Sequence, residues 1–244
     1  MKRLILVLAL VLSVGSIVAQ PRKSKTCNLI FIGNSITEGV LHADKSKTAP
    51  PVVAAEMVER MLKMDVHFRN CGRSGATTVD FLPATERDFV RVERAIKEIQ
   101  QVSYAPIVFS IMLGTNDSAN FGPNGSPVSN ENYKKNLMTM IGRLRELCPE
   151  AVFVLQRPIW YSPNTHNGSQ YLVAGQKRMV DYTNILIEIA LENDDVYMGD
   201  SDAFDYFQQK HRKYMFAEDG KAGSGQKSSG KSGKDLEVEV PVGT

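Results

Sequence analysis

The chain has 244 residues, 43 % of them hydrophobic and 23 % charged, which suits one domain with a substantial core. Its formal net charge of +2 gives no electrostatic case for nucleic acid or an anionic membrane surface, and neither is expected as a partner. Three cysteines leave at least one unpaired, and without a Cys-x-x-Cys or a histidine cluster no metal or other cofactor is expected.

Residues 1–19 carry Lys2 and Arg3, an apolar run over 4–14 and then Ile17-Val18-Ala19, the three parts of a secretory signal peptide. The alternative is a single membrane anchor, but the unbroken apolar stretch is short for a spanning helix. A secreted or periplasmic protein with no stable membrane insertion after cleavage is therefore expected. Cleavage removes Lys2, Arg3 and no acid, so the charge falls from +2 to zero.

Residues 20–219 read as the domain. A run of strand-forming residues over 28–32 stops at Gly33, and Asn34-Ser35-Ile36-Thr37-Glu38 follows as a helix start. A parallel strand that ends in Gly lets the chain turn sharply, so Ser35 projects at the carboxyl edge of the sheet, where open α/β folds place ligands. Backbone N–H groups at the start of a helix would face developing negative charge there. Taken alone, Ser35 reads equally well as a helix N-cap.

A second strand over 66–69 exits into Asn70-Cys71-Gly72-Arg73-Ser74-Gly75-Ala76-Thr77-Thr78. A third, over 106–113, has the length and β-branched content of a strand buried on both faces and exits into Gly114-Thr115-Asn116-Asp117. A fourth strand over 151–156 leaves into a polar and aromatic loop over 157–167 that contains Trp160 and His166. A fifth covers 195–200. Helical spacing of apolar residues over 54–62, 89–100, 133–147 and 182–191 places a helix between successive strands, with the Met and Leu stripes as core.

Three strand exits rich in Gly and small polar residues point to one crevice. In order and spacing they resemble the SGNH hydrolases, also called GDSL esterases and lipases. Gly33-Asn34-Ser35 matches the nucleophile block, Gly75 the oxyanion-hole glycine, and Gly114-Thr115-Asn116-Asp117 the Gly-x-Asn-Asp block. The resemblance covers about residues 27 to 200. It implies an α/β fold, a flavodoxin-like three-layer α/β/α sandwich with a five-stranded parallel sheet in the order 2-1-3-4-5. It also implies acyl transfer: Ser35 Oγ attacks an ester carbonyl, and the Ser35 and Gly75 N–H groups with the Asn116 amide hold the oxyanion. Met singly, Gly75 is a turn glycine and Asn116 a loop-capping amide.

The family's fourth block, an Asp-x-x-His or His-Pro after the fifth strand, has no match. Were Asp219 to open it, position 222 would be histidine, and it is Ala222. Without an adjacent base a serine hydroxyl is a weak nucleophile. The four histidines are His42, in a loop after the first helix's opening turns; His67, a packed or rim residue of the second strand; His166; and His211, nearest in chain order to the unmatched block.

Trp160 and His166 are the candidate substrate-binding residues, because loops at this edge line the crevice and a Trp with amide neighbours suits sugar faces and hydroxyls. The alternative for Trp160 is a plug at the sandwich edge. The expected function is a secreted serine esterase that removes O-acyl, chiefly acetyl, groups from a small-molecule or polysaccharide substrate. The competing expectation is a non-catalytic SGNH-like protein that binds acylated sugars.

Residues 220–244 change character to Gly, Ser and Lys and read as a low-complexity, disordered or aberrant tail. Gly225-Gln226-Lys227-Ser228-Ser229-Gly230-Lys231-Ser232 satisfies the P-loop pattern, but no strand precedes it and no helix follows, so nucleotide binding is not expected. If any disulfide forms it joins Cys27 to Cys148, although an intervening strand holds them apart.

Overall fold

The computed structural model of the protein describes residues 25–161 and 170–199. The expected signal peptide over 1–19, His166, His211, Asp200 and the expected tail from 220 lie outside the described residues.

Five parallel strands, β1 (Lys25–Gly33), β2 (Met64–Asn70), β3 (Ile107–Met112), β4 (Val152–Leu155) and β5 (Val196–Met198), form one sheet in the order β2-β1-β3-β4-β5. The helices are α1 (Ser35–Glu38), α2 (Lys45–Thr48), α3 (Pro50–Leu62), α4 (Phe89–Gln100), α5 (Asn130–Leu147) and α6 (Leu172–Glu192). The expected α/β class and strand order are both present. The strand order reverses between β1 and β3, so their carboxyl ends open onto the crevice such folds use for ligands.

Side chains alternate across a strand, so each row of the sheet belongs to one face. The row Ile30, Phe109, Phe153 and Val196 is sealed beneath α4, α5 and α6. Phe109 and Phe153 stack there, 5.6 Å between centroids. Helix α4 delivers Phe89, Val92, Ile96 and Ile99 at successive turns, the spacing its sequence predicts.

The next row, Phe31, Ser110, Val154 and Tyr197, faces the opposite side and is only half-buried, with Tyr197 55 % exposed. Here α3 is the cover, and Pro50, Pro51 and Ala54 meet Phe31, Ser110 and Met112 around a small cavity. This corrects the expectation that the Met and Leu stripes are core: Met61 of α3 is 68 % exposed and Leu62 62 %. The helix lies against an edge strand and buries only Pro51 and Ala55.

Three helices start earlier than their apolar spacing predicts, the first being α3, which begins at Pro50 rather than at 54. Helix α5 begins at Asn130, capped by the Ser129 hydroxyl, which accepts from Asn132 N. Helix α6 begins ten residues before 182, because Gly175-Gln176-Lys177-Arg178 interrupts the apolar period after Leu172-Val173-Ala174. All three cysteines are free, with Cys71 and Cys148 buried. Cys71 therefore belongs to the core below the crevice: its Sγ lies 3.7 Å from Arg91 O, and burial pushes its thiol up to about 12.

Candidate functional site

The carboxyl ends of β1, β2 and β3 are stitched together by backbone hydrogen bonds. Gly33 pairs in register with Met112, and beyond the end of β2 Cys71 N donates to Phe31 O (2.8 Å) and Arg73 N to Gly33 O (3.0 Å). Gly33 is required by close approach, since a Cβ there would collide with the Thr37 hydroxyl. Ser35 follows two residues later.

Asn34, and not Ser35, caps α1: its Oδ1 accepts from Ile36 N at 3.0 Å. The capping alternative for Ser35 is thereby removed. Ser35 is half-buried, and its hydroxyl has no hydrogen-bond partner among the described residues. Helix α1 is a single turn, so what it can offer an anion is its local N–H groups and little macrodipole.

Glu38, one turn on, ties α1 to the neighbouring loop. Its carboxylate accepts from Ser74 N (2.6 Å) and from Lys45 Nζ (2.9 Å). The Lys45 contact leads in holding its pKa below the usual carboxylate range. Gly75 comes next in that loop, with φ +76°, a left-handed conformation that favours glycine. A Cβ there would meet only Pro123 Cγ, at 3.9 Å, so the backbone angle rather than crowding within the chain calls for glycine. No acceptor among the described residues takes the Gly75 N–H.

Asn116, four residues past Met112, is buried. Its Nδ2 donates to Ala76 O at 2.9 Å, and its Oδ1 accepts from the Tyr171 hydroxyl at 3.1 Å. An Asn amide carries two N–H bonds, and the second has no acceptor among the described residues. The residue is therefore the loop-capping amide of the bland expectation, yet it keeps one donor in hand.

Two buried carboxylates hold this wall. Asp117 accepts from Thr78 N (2.8 Å) and from the Thr78 hydroxyl, to which Asn136 Nδ2 also donates (3.0 Å). Its Oδ2 has no partner among the described residues, and full burial pushes the group up to about 6 despite the Thr78 bonds. Asp80 accepts from Thr77 N (3.0 Å), the Thr77 hydroxyl (3.1 Å) and Asn124 Nδ2 (2.8 Å), and pairs with Arg73 (3.2 Å) and Arg87 (3.0 Å). The order of partners along the chain gave no warning of these contacts; an Asp directly after Asn116 at a strand exit was the one available signal.

Of the other sequence candidates, Trp160 is 60 % exposed, which is not the plug at the sandwich edge. With Pro158, Ile159, Met112, Gln156 and Val180 it lines a cavity of about 760 Å³ beyond the ends of β3, β4 and β5. Ser35, Gly75 and Asn116 do not line that cavity; Met112, the register partner of Gly33, does. His42 Nδ1 lies 3.0 Å from the Thr48 hydroxyl. His67 sits within edge strand β2, opposite Asn28.

Comparison with known proteins gives a family and a fold. No curated protein matches the chain. LAE5, an alpha/beta hydrolase enzyme from the metagenome of Lake Arreo, Spain, is 20 % identical with a TM-score of 0.50, over 80 % of this chain and 87 % of that one. A variant of Axe2, an acetyl-xylooligosaccharide esterase, is 19 % identical with a TM-score of 0.51, over 78 % and 83 %. A catalytic mutant of Axe2, an acetylxylan esterase from Geobacillus stearothermophilus, is 18 % identical at 0.50, over 76 % and 81 %. At such identities the likeness is one of fold. The model of the GDSL-like Lipase/Acylhydrolase family matches residues 31–220, most of the sequence, and the chain belongs to that family of carboxylic-ester hydrolases, the SGNH group.

Proposed function

We propose that the protein is a secreted serine esterase that removes O-acetyl groups from carbohydrates. Ser35 supplies the nucleophile, and the Ser35 and Gly75 N–H groups with the second Asn116 N–H receive the oxyanion. One observation carries this reading. Three neighbouring strand exits, locked to each other by hydrogen bonds, leave a hydroxyl and two N–H donors without a partner among the described residues. Donors fixed before charge appears are what acyl transfer needs, since they cost no reorganisation in the transition state. Trp160, exposed on a cavity that Met112 also lines, supports a sugar substrate, and His166, six positions on in the sequence, is assigned to substrate binding from the sequence alone. Axe2, an acetylxylan and acetyl-xylooligosaccharide esterase, acts on this substrate class.

A second reading rests on Ala222. With no histidine three residues after Asp219, and with His42 engaged by Thr48, the same pocket binds acylated sugars without turnover. Hydrolysis of p-nitrophenyl acetate and of acetylated xylo-oligosaccharides, measured on the chain, on Ser35→Ala and on Ala222→His, separates the two. Turnover that Ser35→Ala abolishes supports the esterase. Turnover that appears only in Ala222→His supports the binding protein. Equal rates in the chain and in Ser35→Ala would sink both assignments of Ser35.

A further inference from the structure

We infer that Tyr171 is a positioning residue for the oxyanion side of the site, acting through the Asn116 amide; this rests on the role proposed for Asn116. The Tyr171 hydroxyl donates to Asn116 Oδ1 (3.1 Å), while Asn116 Nδ2 donates to Ala76 O (2.9 Å). A carbonyl can only accept and the amide oxygen has no proton to give, so the two contacts together select one of the amide's two flipped orientations. That orientation turns the second N–H away from Ala76 and leaves it for a ligand. Donation to Oδ1 also polarises the amide and strengthens its N–H bonds as donors.

Tyr171 is itself anchored. Its ring packs on Tyr161 at 4.4 Å, and the Tyr161 hydroxyl lies 2.5 Å from Ser118 Oγ, two residues past Asn116. Just before it, Gln170 exchanges backbone hydrogen bonds of 2.7 Å with Phe121 and Asn120. Gly175 N donates to Tyr171 O at the first turn of α6 (3.0 Å). The hydroxyl thus reaches Asn116 from a segment clamped to the same β3 exit that carries Asn116, so the pair moves as one body. Residue 171 lies outside all the motif blocks and is 55 positions from its partner in the chain.

The test is Tyr171→Phe, which deletes the hydroxyl and keeps the ring, alone and combined with Asn116→Ala. In p-nitrophenyl acetate hydrolysis, kcat is expected to fall about tenfold with KM within about twofold, less than the hundredfold or more of a lost oxyanion donor. In the Asn116→Ala background the same change should add nothing, because coupled residues are non-additive. Equal losses in both backgrounds, or an unchanged kcat, would overturn the inference. The second readout needs no turnover: the Asn116 side-chain NH2 resonances, assigned through their disappearance in Asn116→Ala. In Tyr171→Phe they should shift and exchange faster with water; if they do not change, Tyr171 does not hold the amide. Ser35→Ala in the same assays reports on the esterase reading separately, since it should leave those resonances in place.

Discussion

Asp117 and Trp160 stand beyond the carboxyl ends of neighbouring strands, β3 and β4, in opposite surroundings. Asp117 is wholly buried and bonded to Thr78 across 39 positions of sequence, and nearby Asp80 gathers two arginines, Thr77 and Asn124. Trp160 meets mostly solvent. The Asp80 and Asp117 wall stores stability as geometry, spending buried charge to hold N–H groups in place. The Trp160 wall stores almost none, and its indole stands open to solvent.

The contrast breaks most sharply at Asp80. Asp80→Ala leaves Thr77 N and its hydroxyl without their acceptor, and is expected to lower the unfolding free energy by about 3–4 kcal/mol. A urea midpoint that hardly moves would mean that the wall does not depend on its carboxylates.

Asp117 comes next, and its signature is pH. Its folded value of about 6 lies above the ordinary 3.8, so the folded state binds the proton more tightly. The stability this contributes is full below about pH 4 and is lost as pH rises through 6, about 3 kcal/mol in all. Asp117→Asn removes the dependence. Its stability relative to the parent should therefore rise by most of that amount between pH 4 and pH 7, and a flat difference would place the proton elsewhere.

Gly75→Ala keeps the wall's hydrogen bonds but forces a side chain into φ +76°, at a cost of about 1–2 kcal/mol. A thermal melt indistinguishable from the parent's would show that the loop relaxes freely. Trp160→Ala should change stability least, by no more than about 0.5 kcal/mol. Its effect belongs in KM for acetylated xylo-oligosaccharides, raised several-fold with p-nitrophenyl acetate unaffected. Equal changes for both substrates would end the distinction between the two walls.

What could be read from the chain follows the same division. The strand exits were legible because glycine, small polar residues and apolar runs are local signals, and Gly33-Asn34-Ser35 sits where they place it. The start of α6 was not, because Gly175, Gln176 and Lys177 break the apolar period on which a helix is recognised. The exposure of Met61 was not legible either: a stripe on a helix reveals its spacing and not how much sheet lies beneath it. Least visible were Asp80, Asp117 and Tyr171, whose partners lie 39 to 55 positions away or in loops without period. A buried carboxylate in a loop looks, in one dimension, like a solvated one.

Trp160 is the chain's single tryptophan, and that makes the open wall an optical instrument. With its indole already largely in water, the native emission lies toward the red, and unfolding moves it little. Fluorescence would then be nearly blind to denaturation that circular dichroism reports. Anything that settles against the cavity and strips water from the ring would instead shift the emission to the blue, from one fluorophore at a known address.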